Sequence, residues 1–263
     1  MNQYLETMQP WIDQNGLIAM KDGDEGDSCA REALFAVCIR ELYDQGKINM
    51  ADYLLLRKRY WENTIKLSDS QGTLKRGLIP NSWVSQSDGI VMSRDQWYPS
   101  VIAFGSLDLK GLLNYMFFGH LFHRGLLFTS NTCPNWIMKN SPQYRWKFPD
   151  VTLLDSWGIY IRAYKAWILY PFLFLFDLPI LVQSLILIYN SFYNPNSTSD
   201  VPNHLCSLIQ AKRRMPTLIT WIARKLLNFC KNGIQTQVDN YFTPQNGSPP
   251  FGEIFKAILP NFL

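Results

Sequence analysis

Charge is scarce in this chain. Asp, Glu, Lys and Arg together make up 17% of its residues, where an average globular domain carries about a quarter. The balance is a scattered +4 over 263 residues, which excludes the basic footprint of a nucleic-acid binder. Cysteine is sparse and odd in number, with Cys29, Cys38, Cys133, Cys206 and Cys230 at no C-x-x-C spacing. The opening residues Met1-Asn2-Gln3-Tyr4-Leu5-Glu6 have no basic region and no apolar stretch of a signal peptide. Both absences argue against a disulfide framework and for a reducing compartment, cytoplasmic or virion-associated. No phosphate loop and no dinucleotide fingerprint occurs, so no cofactor is expected. Period-2 strand patterns are also rare.

An uninterrupted membrane span is missing too. The run from Ala166 to Tyr189 is strongly apolar, yet Asp177 sits at its centre with Pro171, Pro179 and Gln183 around it. A mid-bilayer carboxylate is costly and the prolines break a helix. The run reads as buried core helices, with a membrane-inserted hairpin over 166–189 as the minority alternative, and a membrane partner is not the leading expectation.

Aromatic residues are abundant: 9 Trp, 13 Tyr and 16 Phe, or 14% of the chain. They fit a large core with bulky fillers, and equally a protein that stacks on rings or sugars. Helical periodicity dominates what remains. One helix runs from Asp27 or Ser28, either of which suits an N-cap, to a stop at Gly46. A second covers Met50 to about Leu67 and makes a hairpin with the first through Gln45-Gly46-Lys47. A third is capped by Ser93 and starts near Gln96, because Pro99 belongs in a first turn. A fourth follows from Leu107 or Asp108 to about Leu121. Helices resume over 151–165, 166–177, 179–193, 202–212 and 216–231, and a short one closes the chain after Ser248-Pro249-Pro250. The expected architecture is a single all-α domain over 1–263, an α/α toroid of helical hairpins whose long polar loops line one mouth.

The most informative segment is Asp22-Gly23-Asp24-Glu25-Gly26-Asp27, four carboxylates in six positions directly before the first helix. Crowded carboxylates raise one another's pKa unless something cationic answers them. Three explanations stand. Glycosidic hydrolysis needs two carboxyl groups across the scissile bond, with Glu25 or Asp27 as one and Asp88 or Asp95 as the other. A calcium loop fails, since Gly26 stands at position 5 and Ala33 at position 12. Acidic residues also simply complement a helix dipole and cap its start.

Ser93-Arg94-Asp95-Gln96 is the second constellation. Arg94 offers a fork donor that can hold a carboxylate bidentately, and Trp97 and Tyr98 follow it as sugar-stacking candidates. An Arg–carboxylate bridge tying helix ends together explains the same residues, and Arg31 has the same two readings. His120 and His123 face one way but lack a third ligand at zinc spacing, so no metal is expected. Cys29 at a helix start has its acidity offset by neighbouring carboxylates, which argues against a catalytic thiol. Lys212-Arg213-Arg214 reads as a helix C-terminus.

Gly26-Asp27-Ser28-Cys29-Ala30-Arg31, Ser93-Arg94-Asp95-Gln96 and Phe148-Pro149-Asp150 resemble a scattered group of poorly characterised viral and bacterial proteins. In these a Gly-Asp-Ser-x-x-Arg helix start is followed by a Ser-Arg-Asp-Gln helix start. They are similar to the α/α-toroid class, many of whose members process glycans. The resemblance covers mainly residues 20–160 and implies a polar mouth built from Asp27, Arg31, Arg94 and Asp95. The leading expectation is therefore carbohydrate binding or glycoside hydrolysis. Glu25 or Asp27 would be the acid and Asp95 or Asp88 the base. Arg31, Arg94, Gln96, Trp97, Tyr98 and Asp150 would contact the substrate. The competing expectation is a non-enzymatic structural or interaction protein, such as a phage or virion component assembled into a larger particle.

Overall fold

A long helix, Ser28–Asp44, is buried on almost every side and organises the structure. The computed structural model describes residues 3–20, 28–68, 70, 74–78, 94–109, 111–112, 185, 188–190, 192–193, 218–242 and 249–258. Its helices are α1 (Gln3–Met8), α2 (Ser28–Asp44), α3 (Met50–Lys66), α4 (Arg94–Ser106), α5 (Leu218–Phe229), α6 (Lys231–Tyr241) and α7 (Phe251–Ile258). Within α4, side chains are described from Pro99 onward except at Val101. Among the described residues there is no strand, only the isolated bridges Ile12–Ile18 and Ser68–Leu74. The all-α expectation therefore holds for these residues.

The sequence of α2 suits its central place. Ala30, Ala33 and Ala36 lower its profile so that neighbours approach closely, while Leu34, Phe35, Val37, Ile39 and Leu42 fill the space between them. The helix ends at Gly46, whose φ of +69° favours a residue without Cβ. The amides of Gly46 and Lys47 bond back to the carbonyls of Tyr43 and Leu42. The expected hairpin follows: Asn49 caps α3 by accepting from the Asp52 amide at 2.8 Å, and α3 returns antiparallel along α2. Tyr53, Leu56, Tyr60, Asn63 and Thr64 form its buried side. Glu32 meets Arg59 near one end of this pair, and Tyr43 stacks on Tyr53 at the other with ring centroids 4.5 Å apart.

On another side of α2 lies α7, and α6 packs against α7. Phe251, Ile254, Phe255 and Ile258 enter the same core cluster as α2, together with Ile234 and Val238 of α6. Gln45 donates to the Ile258 carbonyl at 3.1 Å, and Lys47 donates to that of Ala257. Gly252 permits the close approach of α6, since a Cβ there would stand 2.9 Å from Asp239 Oδ1.

Several expectations need correction. Ser28 does not cap α2; its hydroxyl donates to the Ile18 carbonyl at 2.7 Å. The third helix begins at Arg94, so Pro99 is its sixth residue and not part of a first turn. Leu107 and Asp108 are not a helix start but a turn, with Asp108 at φ +56°; helical geometry returns at 111–112. The expected 216–231 helix ends at Phe229, and α6 begins just beyond it. The helices expected over 151–165, 166–177 and 202–212 lie outside the described residues. Among those described, no helix is long and apolar enough to cross a membrane.

Candidate functional site at the starts of α2 and α4

The start of α2 is fastened from several directions. Asn15-Gly16 makes a tight turn, with Gly16 at φ +79°, between the paired residues Ile12 and Ile18. Asp13 Oδ1 accepts from the amides of Asn15 and Leu17 at 2.8 and 2.9 Å. Leu17, Ile18 and Ala19 are buried, so their backbone groups need partners within the protein. The Asp13 amide bonds to Leu17, and the Ala19 amide to Trp11. Ile18 is held by α2 itself: its amide donates to Glu32 Oε1 at 2.8 Å, and its carbonyl accepts from Ser28. The Cys29 amide, an otherwise orphaned donor of the first helical turn, bonds to the Arg76 carbonyl at 2.9 Å.

Behind this turn sits a buried ion pair. Arg59 donates from two nitrogens to the two oxygens of Glu32, at 2.7 and 2.8 Å. Its Nη2 also reaches the Gly16 carbonyl at 3.0 Å, where Asn63 donates as well. The Arg59 guanidinium lies 5.9 Å from the Phe35 ring. The pair thus ties the 13–18 turn to α2 and α3 together.

The direction of α4 follows from two contacts with α2. Cys29 Sγ and Ser100 Oγ share a buried hydrogen bond of 3.3 Å. Farther along both helices, Arg40 donates to the Ser106 carbonyl at 3.3 Å. The helices therefore run in the same sense, and their N-termini lie at one end of the pair. At the opposite end, Arg40 takes the Ser106 carbonyl that closes α4 and Arg57 the Leu107 carbonyl of the turn beyond it, with Nε 2.8 Å away. Such donors complement a C-terminal dipole. Burial works against the Arg40 charge, but its hydrogen bond to Tyr53 and the Asp44 carboxylate hold the guanidinium above the ordinary arginine value.

Arg94, Asp95, Gln96, Trp97 and Tyr98 occupy the first five positions of α4. Pro99 supplies no amide to the carbonyl four residues before it, which is that of Asp95. Arg31 lies in the first turn of α2 and is half-buried. Glu25, Asp27, Asp88 and Asp150 lie outside the described residues, as do His120 and His123. Cys29, Cys38 and Cys230 are buried and form no disulfide. Among the described residues, no group of three His, Cys, Asp or Glu is placed to hold a metal ion. The two helix starts turn positive dipole ends the same way, which favours ionised carboxylates and polar oxygen ligands there.

The residues missed by sequence reasoning are Glu32, Arg59 and the turn at Asn15-Gly16. Their signals were present: an acid between Ala30 and Leu34 inside an apolar helix, and an Asn-Gly pair flanked by Ile12 and Ile18, the strongest short hairpin signal. No family model, curated protein or solved structure matches this chain.

Proposed function

We propose that the end of the molecule where α2 and α4 begin is a carbohydrate-binding mouth that processes glycans, on an α/α-toroid scaffold. The supporting observation is the parallel packing of the two motif-bearing helices, set by the Cys29–Ser100 and Arg40–Ser106 contacts. Asp27 is bonded directly to Ser28, the first residue of α2, so chain connectivity keeps it at that end. Arg94 precedes Ser100 by six residues, about 9 Å along the axis of α4. Inverting glycoside hydrolysis requires two carboxyl groups about 6.5–9.5 Å apart, with water between them.

In this reading Glu25 or Asp27 protonates the leaving oxygen, while Asp95 or Asp88 activates the water that attacks the sugar carbon. Arg31 and Arg94 orient these carboxylates, Trp97 and Tyr98 stack on the sugar, and Gln96 and Asp150 bind its hydroxyls. Hydrolysis across a polysaccharide panel tests this. Asp27→Asn and Asp95→Asn are each expected to lower the rate by about 10²–10⁴-fold. Unchanged rates in both variants, or no binding and no hydrolysis by the wild-type chain, overturn the reading.

One observation favours a second reading, a non-enzymatic interaction protein. Met50, Leu54, Trp61 and Ile65 form an exposed apolar row along α3, the kind of surface that packs against a partner in a larger assembly. A concentration-dependent rise in sedimentation coefficient, abolished by Leu54→Ser with Trp61→Ser, supports that reading over the first.

A further inference from the structure

Helix α5 is amphipathic, yet its apolar side faces solvent. Trp221, Ile222, Leu226 and Phe229 are exposed, Phe229 by 82%. Their spacing places them on one face together with Lys225. A second row, Leu185, Tyr189, Phe192 and Tyr193, is also exposed, Tyr193 by 76%, and also follows helical spacing. The two rows join: the Phe192 and Phe229 rings lie 6.4 Å apart, and Tyr189 packs on Tyr193 at 5.0 Å. A continuous exposed surface of this composition marks an interaction site.

Charge selects the occupant. Between Leu178 and Val238 the sequence holds a single acid, Asp200, against Lys212, Arg213, Arg214, Arg224, Lys225 and Lys231. The whole net positive charge of the chain resides in this stretch; the remainder has one more acid than base. Lys225 and Lys231 are exposed, and Lys225 Nζ stands 5.9 Å from the Trp221 ring. A second copy docked through the same face would set Lys225 and Lys231 against their own likeness. A nucleic acid would leave Leu185, Ile222 and Leu226 without a fitting partner. A lipid surface with anionic headgroups answers both features. Apolar side chains enter the headgroup–acyl boundary, Trp and Tyr sit at headgroup depth, and the bases meet lipid phosphates and carboxylates.

We propose that the α5 face and the 185–193 row form a peripheral docking surface for an anionic lipid bilayer. Helix α5 lies on the bilayer and does not cross it, since its 12 residues span about 18 Å against a hydrocarbon core of about 30 Å. The proposal is independent of the carbohydrate reading, which concerns different residues.

Co-sedimentation of the full chain tests it, with vesicles of phosphatidylcholine alone or of phosphatidylcholine containing phosphatidylserine. Binding is expected only with phosphatidylserine, and it weakens as salt rises. Lys225→Glu and Lys231→Glu each lower vesicle affinity by about fivefold. Phe229→Ser with Tyr193→Ser lowers it by about tenfold or more. All four positions are exposed, and unaltered circular dichroism confirms that the variants fold. The control Lys58→Glu, an exposed charge on α3 outside both rows, leaves vesicle binding unchanged. Absence of binding to phosphatidylserine vesicles overturns the proposal, and so does equal binding to phosphatidylcholine alone. A dimer that dissociates in the Phe229→Ser variant also overturns it, because a second copy then covers the face.

Discussion

Glu32 shows how much a single side chain can organise. Its oxygens accept from Arg59 twice and from the Ile18 amide once, and 1% of the side chain is exposed. A buried pair of this kind contributes little relative to a well-packed apolar pair, but breaking it from one side costs about 3–5 kcal/mol. Arg59→Met leaves the Glu32 carboxylate buried with one amide donor, and Glu32→Leu leaves the guanidinium with the Gly16 carbonyl but no counter-charge, and the Ile18 amide without an acceptor. Each single variant is expected to lose about 3–5 kcal/mol in urea unfolding with an unchanged slope. The double variant Glu32→Leu/Arg59→Met is expected to be more stable than either single one, because neither charge is then stranded. Additive losses in that cycle would show that the pair is not the unit holding the turn.

At the scale of elements, the helices with one-sided or all-round apolar patterns were legible and the short ones were not. The limits of α2 and α3 follow from their apolar periodicity, from Asn49, and from Gly46. In contrast, α1 is six residues long and offers too few positions for a period to show. All but the first residue of the Lys231–Tyr241 segment, with Asn232, Gly233, Gln235, Thr236 and Gln237, lies beyond the helix expected over 216–231; packing against α7 makes it a helix. The candidate site was legible only as two motifs. That both ride on parallel neighbours depends on Ser100 and Ser106, which carry no sequence signal. Pro99 misled because intrinsic propensity places proline in a first turn, whereas here tertiary packing overrides it: Pro99 and its neighbour Ser100 are buried. A proline inside a helix forgoes one backbone bond and crowds the preceding turn, at about 3 kcal/mol. Pro99→Ala restores the bond to Asp95 and leaves a cavity of roughly two methylenes, worth about 1–2 kcal/mol. The balance predicts a gain of about 1–2 kcal/mol, visible as a raised Tm. A lowered Tm would mean that the ring is held by packing more valuable than the bond it removes.

At the scale of the whole molecule, the two ends of the sequence depend on one another through α2. Its N-terminal turn is fastened by residues 13–18, and its C-terminal turn by α7. Phe251, Ile254, Phe255 and Ile258 are each buried to within 1% of complete, at about 1.5–3 kcal/mol apiece. Their sum rivals the entire stability of an ordinary domain, about 5–15 kcal/mol. Lys47 and Gln45 then bind the last carbonyls of α7, so losing α7 strips α2 of apolar cover and of polar partners together. Truncation after Pro250 is therefore expected to give a chain without cooperative unfolding, and Phe255→Ala is expected to cost about 3–5 kcal/mol. Amide hydrogen exchange locates the effect. In Phe255→Ala, protection should fall along the whole of α2, including Cys29 and Ala30 next to the candidate site, because a helix packed on every side opens with its neighbours. Lost protection confined to α6 and α7 would instead make the C-terminal helices a separate cooperative unit. The starts of α2 and α4 would then stand on the N-terminal half alone.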